Sequence, residues 1–378
     1  MGPMKVLHVI GGGEFGGAEQ HLLTLIKHMD KSDFELHIAC LFAEPLASLA
    51  RSEGLRVHVL PMKSKLDLKP IGSIASLIKR EGFHIVHTHG VRANLIGRLA
   101  AKIAGTGLVV TTVHSVLAFD YQKWSDRWIN RVSENTTRGV TERFITVCDM
   151  LAGQLVSEGV PRDKVITIHN GLEIEKYNPG ISGSPIREEL GIAGDAVLIG
   201  IVARLHPVKG HIYLLEALAR SVKKFPGLML LIVGTGPDRA MLEETAGSLG
   251  VDKNVIFTGF RKDIPEILAA LDFLVLPSLS EGLSLTVIEG MAMKKPVLAT
   301  GVGGTPEIIT PGLDGCLVPP ADVAALAAGI EGLAQDRQKV AEMGAAARKT
   351  VETRFTAELM ANKTARLYKD LGIKGGSL

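Results

Sequence analysis

Short apolar runs of strand type alternate with helix-length segments along the whole chain, and no other feature restricts its fold as much. In the first half the runs are Lys5–Ile10, Phe34–Leu41, Arg56–Leu60, His84–His89, Leu108–His114, Arg143–Val147 and Lys164–His169. Helix-length segments lie between them, among them Ala18–Met29, Ile71–Glu81, Arg92–Ile103 and Met150–Gly159. The second half restarts the rhythm with Ala196–Ala203, Met229–Val233, Val255–Phe257, Phe273–Pro277, Pro296–Thr300 and Gly315–Val318. Strands that are apolar on both faces and separated by helices belong to parallel sheets covered on both sides. Right-handed crossovers then make each half a doubly wound, Rossmann-like α/β domain.

A length of 378 residues suits two such domains. The stretch Asn178–Pro185, rich in Pro, Gly and Ser, fits neither periodic pattern and reads as the linker. The expected domains are therefore 1–178 and 186–354. The last segment, Phe355–Leu371, is amphipathic and no strand follows it. A formal charge of +2 gives no footing for nucleic acid as a partner. Cys40, Cys148 and Cys316 lie in apolar contexts without metal spacing and read as reduced thiols of a cytoplasmic protein. No stretch reaches the ~18 apolar residues of a membrane span.

The segment Glu281-Gly282-Leu283-Ser284-Leu285-Thr286-Val287-Ile288-Glu289 sets two carboxylates at a strand-to-helix junction. Glu281 falls in the loop, and Glu289 about one and a half turns inside the helix. The amides of Gly282 to Leu285 would point out of the helix start, where partial positive charge and unpaired donors favour an anion. A carboxylate at that lip repels a bare anion, so a sugar hydroxyl suits Glu281 better than a phosphate. Arg204 and Lys209 flank a turn after the first strand of the second half. Two cations so spaced can grip a diphosphate, Arg as a planar fork and Lys as a point charge; the alternative is a solvated surface loop. Both segments sit at the carboxyl ends of strands, where open α/β sheets bind ligands. At the same edge, Gly234-Thr235-Gly236-Pro237 reads either as plain turn chemistry or as a ligand contact. Thr258-Gly259-Phe260-Arg261 could offer backbone groups and an aromatic face to a nucleobase. Gly301–Glu307 is either a glycine-rich turn or the last part of the rim.

In the first half, Gly11–Gly17 follows the first strand, and residues 11 to 16 match G-x-G-x-x-G. A dinucleotide site also needs an acidic residue at the end of the second strand, and neither Glu35 nor Glu44 is well placed. A ligand-free turn remains open; the favoured reading is a loop whose backbone approaches a substrate closely. His114 ends a strand, where it can hydrogen-bond a sugar or orient an acceptor. His87 and His89 share one side of a strand and could bind metal. With no third ligand nearby in sequence, a structural or supporting role is preferred. Lys123, Trp124, Arg127, Trp128 and Arg131 crowd one helical stretch, with Lys63, Lys65, Lys69, Lys79 and Arg80 adding charge to the same domain. An anionic membrane surface and an aromatic core face are both open readings. The chain has no Asp-x-Asp pair to hold a divalent ion on a diphosphate, and no Gly-x-x-x-x-Gly-Lys-Ser/Thr loop of an ATPase or kinase.

Gly16-Gly17-Ala18-Glu19, Arg204 with Lys209-Gly210, Glu281 to Glu289, and Gly303-Gly304-Thr305-Pro306-Glu307 resemble, in family order, the retaining glycosyltransferases of glycosyltransferase family 4. His169-Asn170-Gly171 resembles the stretch leading into that family's interdomain linker. The resemblance implies the GT-B fold: two Rossmann-like domains facing across a cleft, the first for acceptor and the second for donor, with 355–378 returning to pack on the first. It implies transfer of a hexose or N-acetylhexosamine from a nucleotide-diphosphate sugar to a glycan or lipid-linked acceptor, with no cofactor and no required metal. Arg204 and Lys209 would neutralise the leaving diphosphate, and Glu289 would accept from the ribose hydroxyls. Glu281 would face the donor sugar, aided by the amides of Leu283 to Leu285. His114 would touch the sugar near its reacting carbon, and Gly16 and Gly17 would lie between donor phosphates and acceptor. The implied setting is cell-envelope glycan or glycolipid synthesis, in the cytoplasm or at the inner face of the membrane. A nucleotide-sugar 2-epimerase of similar architecture would turn over without acceptor, and a non-catalytic nucleotide-sugar-binding protein would release no nucleotide.

Overall fold

The computed structural model describes residues 2–13, 15–64, 67–115 and 124–374. Lys65, Lys123 and the side chains of Trp124 and Arg127 lie outside the described residues. The chain divides into two compact units, Met1–Gly171 with Ala357–Leu378, and Leu172–Thr356. The boundary thus falls before Asn178–Pro185, the stretch expected to link the domains. That stretch is held within the second unit: Ile186 just after it is buried, and the Arg187 Nε donates to the Ala270 carbonyl at 2.8 Å.

In the first unit a seven-stranded sheet has the order β3-β2-β1-β4-β5-β6-β7, every pairing parallel. Its strands are β1 Met4–Ile10, β2 Phe34–Cys40, β3 Arg56–Val59, β4 Ile85–His89, β5 Leu108–Val113, β6 Arg143–Thr146 and β7 Val165–Thr167. The order reverses between β1 and β4, so the loops after these two strands splay apart at the sheet's carboxyl edge. One face packs on the helices Lys69–Glu81 and Val91–Ala104. The other buries Val6, Ile85, Val110 and Ile145 against the last helix, Ala357–Lys374. That helix contributes Met360, Leu367, Tyr368 and Leu371, and each large apolar side chain so buried adds about 1.5–3 kcal/mol. It belongs to the first unit, as the amphipathic pattern of Phe355–Leu371 allowed and the family resemblance required.

A polar seam runs through this otherwise apolar layer. His8 on β1 pairs in register with His87 on β4, and His89 follows two residues on, so the three rings share one face. His87 is closed off completely, with Nδ1 2.5 Å from the Tyr368 hydroxyl and Nε2 2.7 Å from Thr112 Oγ1. His89 links Nε2 to His8 Nδ1 at 3.1 Å and Nδ1 to His114 Nε2 at 3.2 Å. His21, on the helix Gly17–His28, sets Nδ1 2.9 Å from Asn170 Oδ1. Removal from water disfavours the charged imidazole. Burial, then the His21 charge, lowers His8 to about 3. Burial lowers His21 to about 4 against the opposing Asn170 hydrogen bond. His87, His89 and His114 are pushed well below the usual range, burial again first.

The second unit carries a six-stranded sheet of order β10-β9-β8-β11-β12-β13, again parallel throughout. Its strands are β8 Val197–Val202, β9 Leu228–Val233, β10 Val255–Gly259, β11 Phe273–Leu276, β12 Val297–Thr300 and β13 Gly315–Val318. Here the order reverses between β8 and β11. Strand β11 is buried at every position, which is why its sequence reads as an unbroken apolar run. Among the described residues, no helix is long and apolar enough to cross a membrane.

Tyr368→Phe leaves His87 Nδ1 without its partner in a water-excluded layer and should destabilise the first unit by about 1–3 kcal/mol, read from urea unfolding. The histidine seam should also make folding acid-sensitive. Each ring is neutral when folded but takes a proton near pH 6.5 when unfolded. Stability is therefore complete above that value and falls as pH drops towards the folded values of about 3 for His8 and about 4 for His21. The loss reaches up to ~1.4 kcal/mol per pH unit for each ring. Denaturation midpoints measured from pH 7 down to pH 5 should fall; a flat profile would contradict the burial argument.

Candidate active site

In the second unit, β8 and β11 are hydrogen-bonded neighbours, with Phe273 opposite Ile199. Their carboxyl ends therefore deliver two loops to one place. The loop after β8 runs through Arg204 into a 3-10 turn, Pro207–Lys209, and then the helix His211–Ser221. His206 caps that turn by accepting from the Val208 amide at 3.3 Å. The loop after β11 runs through Glu281 into the helix Leu285–Ala292, whose Ser284 cap accepts from the Val287 amide at 3.4 Å. The loops are stitched together by the Leu279 amide donating to the Val208 carbonyl at 2.7 Å.

This stitching brings Lys209 Nζ within 2.7 Å of Glu281 Oε1. The Ser278 hydroxyl donates to the same oxygen at 2.6 Å. Glu281 is only 9% exposed, so its charge is held in a largely dry position by one cation and one hydroxyl. Leu283 and Ser284 are buried beside it, while Gly282 and Leu285 are half-buried. Arg204 lies at the end of β8 with its side chain exposed, and after burial its charge is the next cause lowering His206 below the usual range. The structure thus joins Lys209 directly to the loop that starts the helix and places Arg204 on the same strand edge.

Two glycines make the approach possible. Gly303, after β12, has φ of 58°, and a Cβ there would lie 2.0 Å from the Glu281 carbonyl oxygen. The next amide, Gly304, donates to the Gly282 carbonyl at 2.7 Å. Gly234, after β9, has φ of 137°, and a Cβ there would meet the Ala203 carbonyl oxygen at 2.0 Å. These contacts explain both glycine-rich turns as backbone packing around the loops that carry Arg204 and Glu281.

Glu289 sits inside the helix and accepts from the Tyr177 hydroxyl at 2.8 Å. Burial raises its pKa, with the Tyr177 bond acting in the opposite sense. Burial and the Glu289 charge together raise that of Tyr177. Neither Tyr177 nor Ser278 was singled out in the sequence. Ser278 adjoins a strand end and was within reach of a local reading, whereas Tyr177 meets Glu289 only through tertiary packing.

At the outer edge of the sheet, Phe260 is 70% exposed. The Arg261 guanidinium binds Glu189 and Asp263, with Nε 2.8 Å from Asp263 Oδ1. Two carboxylates thus match its charge, and the Phe260 ring beside it stands open to solvent.

In the first unit, Gly16 and Gly17 open the helix Gly17–His28, and the Gly16 amide donates to Glu19 Oε2 at 3.1 Å. A Cβ at Gly17 would meet nothing within 4 Å, so internal packing does not demand a glycine there. His114 is half-buried at the end of β5 and bonded to His89. Trp128 is 58% exposed, which removes it from the aromatic core that the sequence left open.

Comparison with known proteins bears on this arrangement. Residues 15–176 match the model described as Glycosyltransferase Family 4, and residues 184–350 match that described as Glycosyl transferases group 1. The chain is 27% identical over 325 residues to the UDP-Gal:alpha-D-GlcNAc-diphosphoundecaprenol alpha-1,3-galactosyltransferase of Escherichia coli, covering 83% of this chain and 84% of the relative. It is 28% identical over 354 residues to a D-inositol 3-phosphate glycosyltransferase of Mycobacterium marinum, covering 85% of this chain and 74% of the relative. Anabaena HepE, solved in complex with UDP-glucose, shares the fold with a TM-score of 0.87 at 24% identity, over 97% of this chain and 100% of that one. Two consecutive matches that together cover most of the chain, with relatives aligned over most of their own length, place this chain in glycosyltransferase family 4.

Proposed function

We propose that the chain is a retaining glycosyltransferase that moves a hexose or N-acetylhexosamine from a nucleotide-diphosphate sugar to a hydroxyl acceptor in cell-envelope glycan or glycolipid synthesis. The observation that carries the reading is the meeting of Lys209 and Glu281 at the β8–β11 reversal, at the lip of the helix that starts with Leu285. Breaking the sugar–phosphate bond leaves positive charge on the sugar carbon and negative charge on the diphosphate. Arg204 and Lys209 are assigned to the diphosphate, together with the amides of the loop at 282–285. Glu281 is assigned to the donor sugar, and its bond to Lys209 ties the sugar and phosphate contacts to each other. Glu289 is assigned to the ribose hydroxyls and Phe260 to the base. His114 is assigned to the sugar near its reacting carbon. Gly16 and Gly17 are assigned to close approach of backbone to ligand, a role that the open space beside Gly17 leaves room for.

The new bond joins the acceptor oxygen to the sugar carbon on the face the phosphate leaves, and the departing phosphate oxygen takes the acceptor proton. Fixed cations supply the charge stabilisation, so no divalent ion is required. Uridine diphosphate sugars are the first donors to test, because the Escherichia coli relative is named for UDP-Gal. That relative's diphosphoundecaprenol acceptor makes a lipid-linked acceptor the first to test, with the exposed Trp128 and Ile129 on the side of a peripheral membrane position.

Nucleotide release should require both donor and acceptor, and NMR of the product should show the donor's anomeric configuration kept; an inverted linkage would reject the retaining route. Lys209→Ala should lower kcat on the order of 10²–10³-fold, as loss of one preorganised donor does. Glu289→Ala should weaken binding of the nucleoside diphosphate itself, and unchanged calorimetric affinity would take Glu289 off the ribose.

A further inference from the structure

The histidine seam of the first unit contains more imidazole nitrogens than its own hydrogen bonds use. His8 Nε2 is buried and has no hydrogen-bond partner among the described residues, an unusual state for a polar atom shut off from water. Two trios bring ring nitrogens within 4.8 Å of one another: His8, His87 and His89, and His21, His89 and His114. They are not equivalent. His87 already engages both nitrogens, on Tyr368 and Thr112, so the first trio would have to break one of those two bonds to take a ligand. In the second trio His21 faces Asn170 Oδ1 through Nδ1. An amide oxygen only accepts, so Nδ1 carries the hydrogen and Nε2 presents a lone pair. His89 and His114 stand with Nδ1 and Nε2 3.2 Å apart. Two nitrogens on a tetrahedral zinc, at ~2.0–2.1 Å bonds, stand about 3.3 Å apart, so the separation already suits an ion, while the two rings, which face each other across the shared proton with centroids 5.5 Å apart, must turn for both lone pairs to meet on it.

We propose that His21, His89 and His114 form a zinc-binding site with an open fourth position. Asn170 and His8 hold the outer nitrogens of His21 and His89, the usual way in which ligating imidazoles are oriented. All-imidazole donors select zinc, copper or nickel over magnesium or calcium, which need oxygen ligands. This ion would therefore be unrelated to any that serves a diphosphate. His114 is half-buried whereas His21 and His89 are closed off, so an ion would enter from the His114 side.

The test is titration of the full chain, stripped by chelator, with Co²⁺ as a spectroscopic stand-in for zinc. One ion per chain should bind with the intense visible bands of tetrahedral cobalt, be displaced by zinc, and be unaffected by excess Mg²⁺. His21→Gln should abolish those bands. Asn170→Leu keeps all three ligands and should weaken binding about 10–100-fold, which guards against failure of the ligand variant to fold. His58→Gln, outside the seam, should bind like the parent. Absence of tetrahedral cobalt binding, or equal binding by parent, His21→Gln and Asn170→Leu, would overturn the proposal. An ion on His114 would also occupy the residue assigned above to the donor sugar, so zinc should inhibit transfer over the range in which it binds. Zinc bound without inhibition would leave the site standing and would instead remove His114 from the donor contact.

Discussion

Lys209 and Glu281 are 72 residues apart in sequence and 2.7 Å apart in space, and the second unit is arranged so that they meet. The cause lies in the sheet. Chain order runs outward from β8 to β10 on one side and from β11 to β13 on the other. Only at the reversal do two loops leave adjacent strands without a helix crossing between them. A parallel sheet sends every strand end to the same edge, so both loops emerge together. The ion pair is a consequence of that topology before it is a piece of chemistry.

The pair also resolves an electrostatic conflict. A carboxylate next to a helix start that favours anions would by itself oppose diphosphate binding. Lys209 and the Ser278 hydroxyl both point their hydrogens at the same Glu281 oxygen and hold its charge locally. Gly303 then lets a third loop press onto the Glu281 backbone, and Gly304 fixes the Gly282 carbonyl. The site is made rigid by backbone contacts, with the side chains as its last layer.

The first unit uses burial differently. It encloses a chain of neutral imidazoles, anchored on one side by Tyr368 from the last helix and on the other by Asn170. Such a layer rewards the neutral state and orients each ring through its neighbour. That makes the return of the helix Ala357–Lys374 to this unit more than a cover for apolar surface, because it supplies the hydroxyl that completes His87.

Much of this was legible in the sequence. Apolar strand runs alternating with helices gave parallel sheets in both halves, because a strand buried on both faces has no polar side to show. Spacing put Glu281 in a loop and Glu289 in a helix, because local hydrogen bonding sets both. Other features could not be read that way. The linker expected at Asn178–Pro185 is packed inside the second unit, since composition reports turn propensity and not what lies against the turn. Arg261 pairs with Glu189, far along the chain, which no local spacing shows. Tyr177 on Glu289, and His21 beside His89 and His114, join residues that no local pattern connects. The sequence by itself determined the periodicity, the element types and the strand ends that carry chemistry, because these depend on neighbours within a few residues. Which distant side chains share a bond, a charge or a proton was decided by the tertiary structure alone, because pairing across strands and helices depends on packing geometry that one-dimensional spacing does not contain.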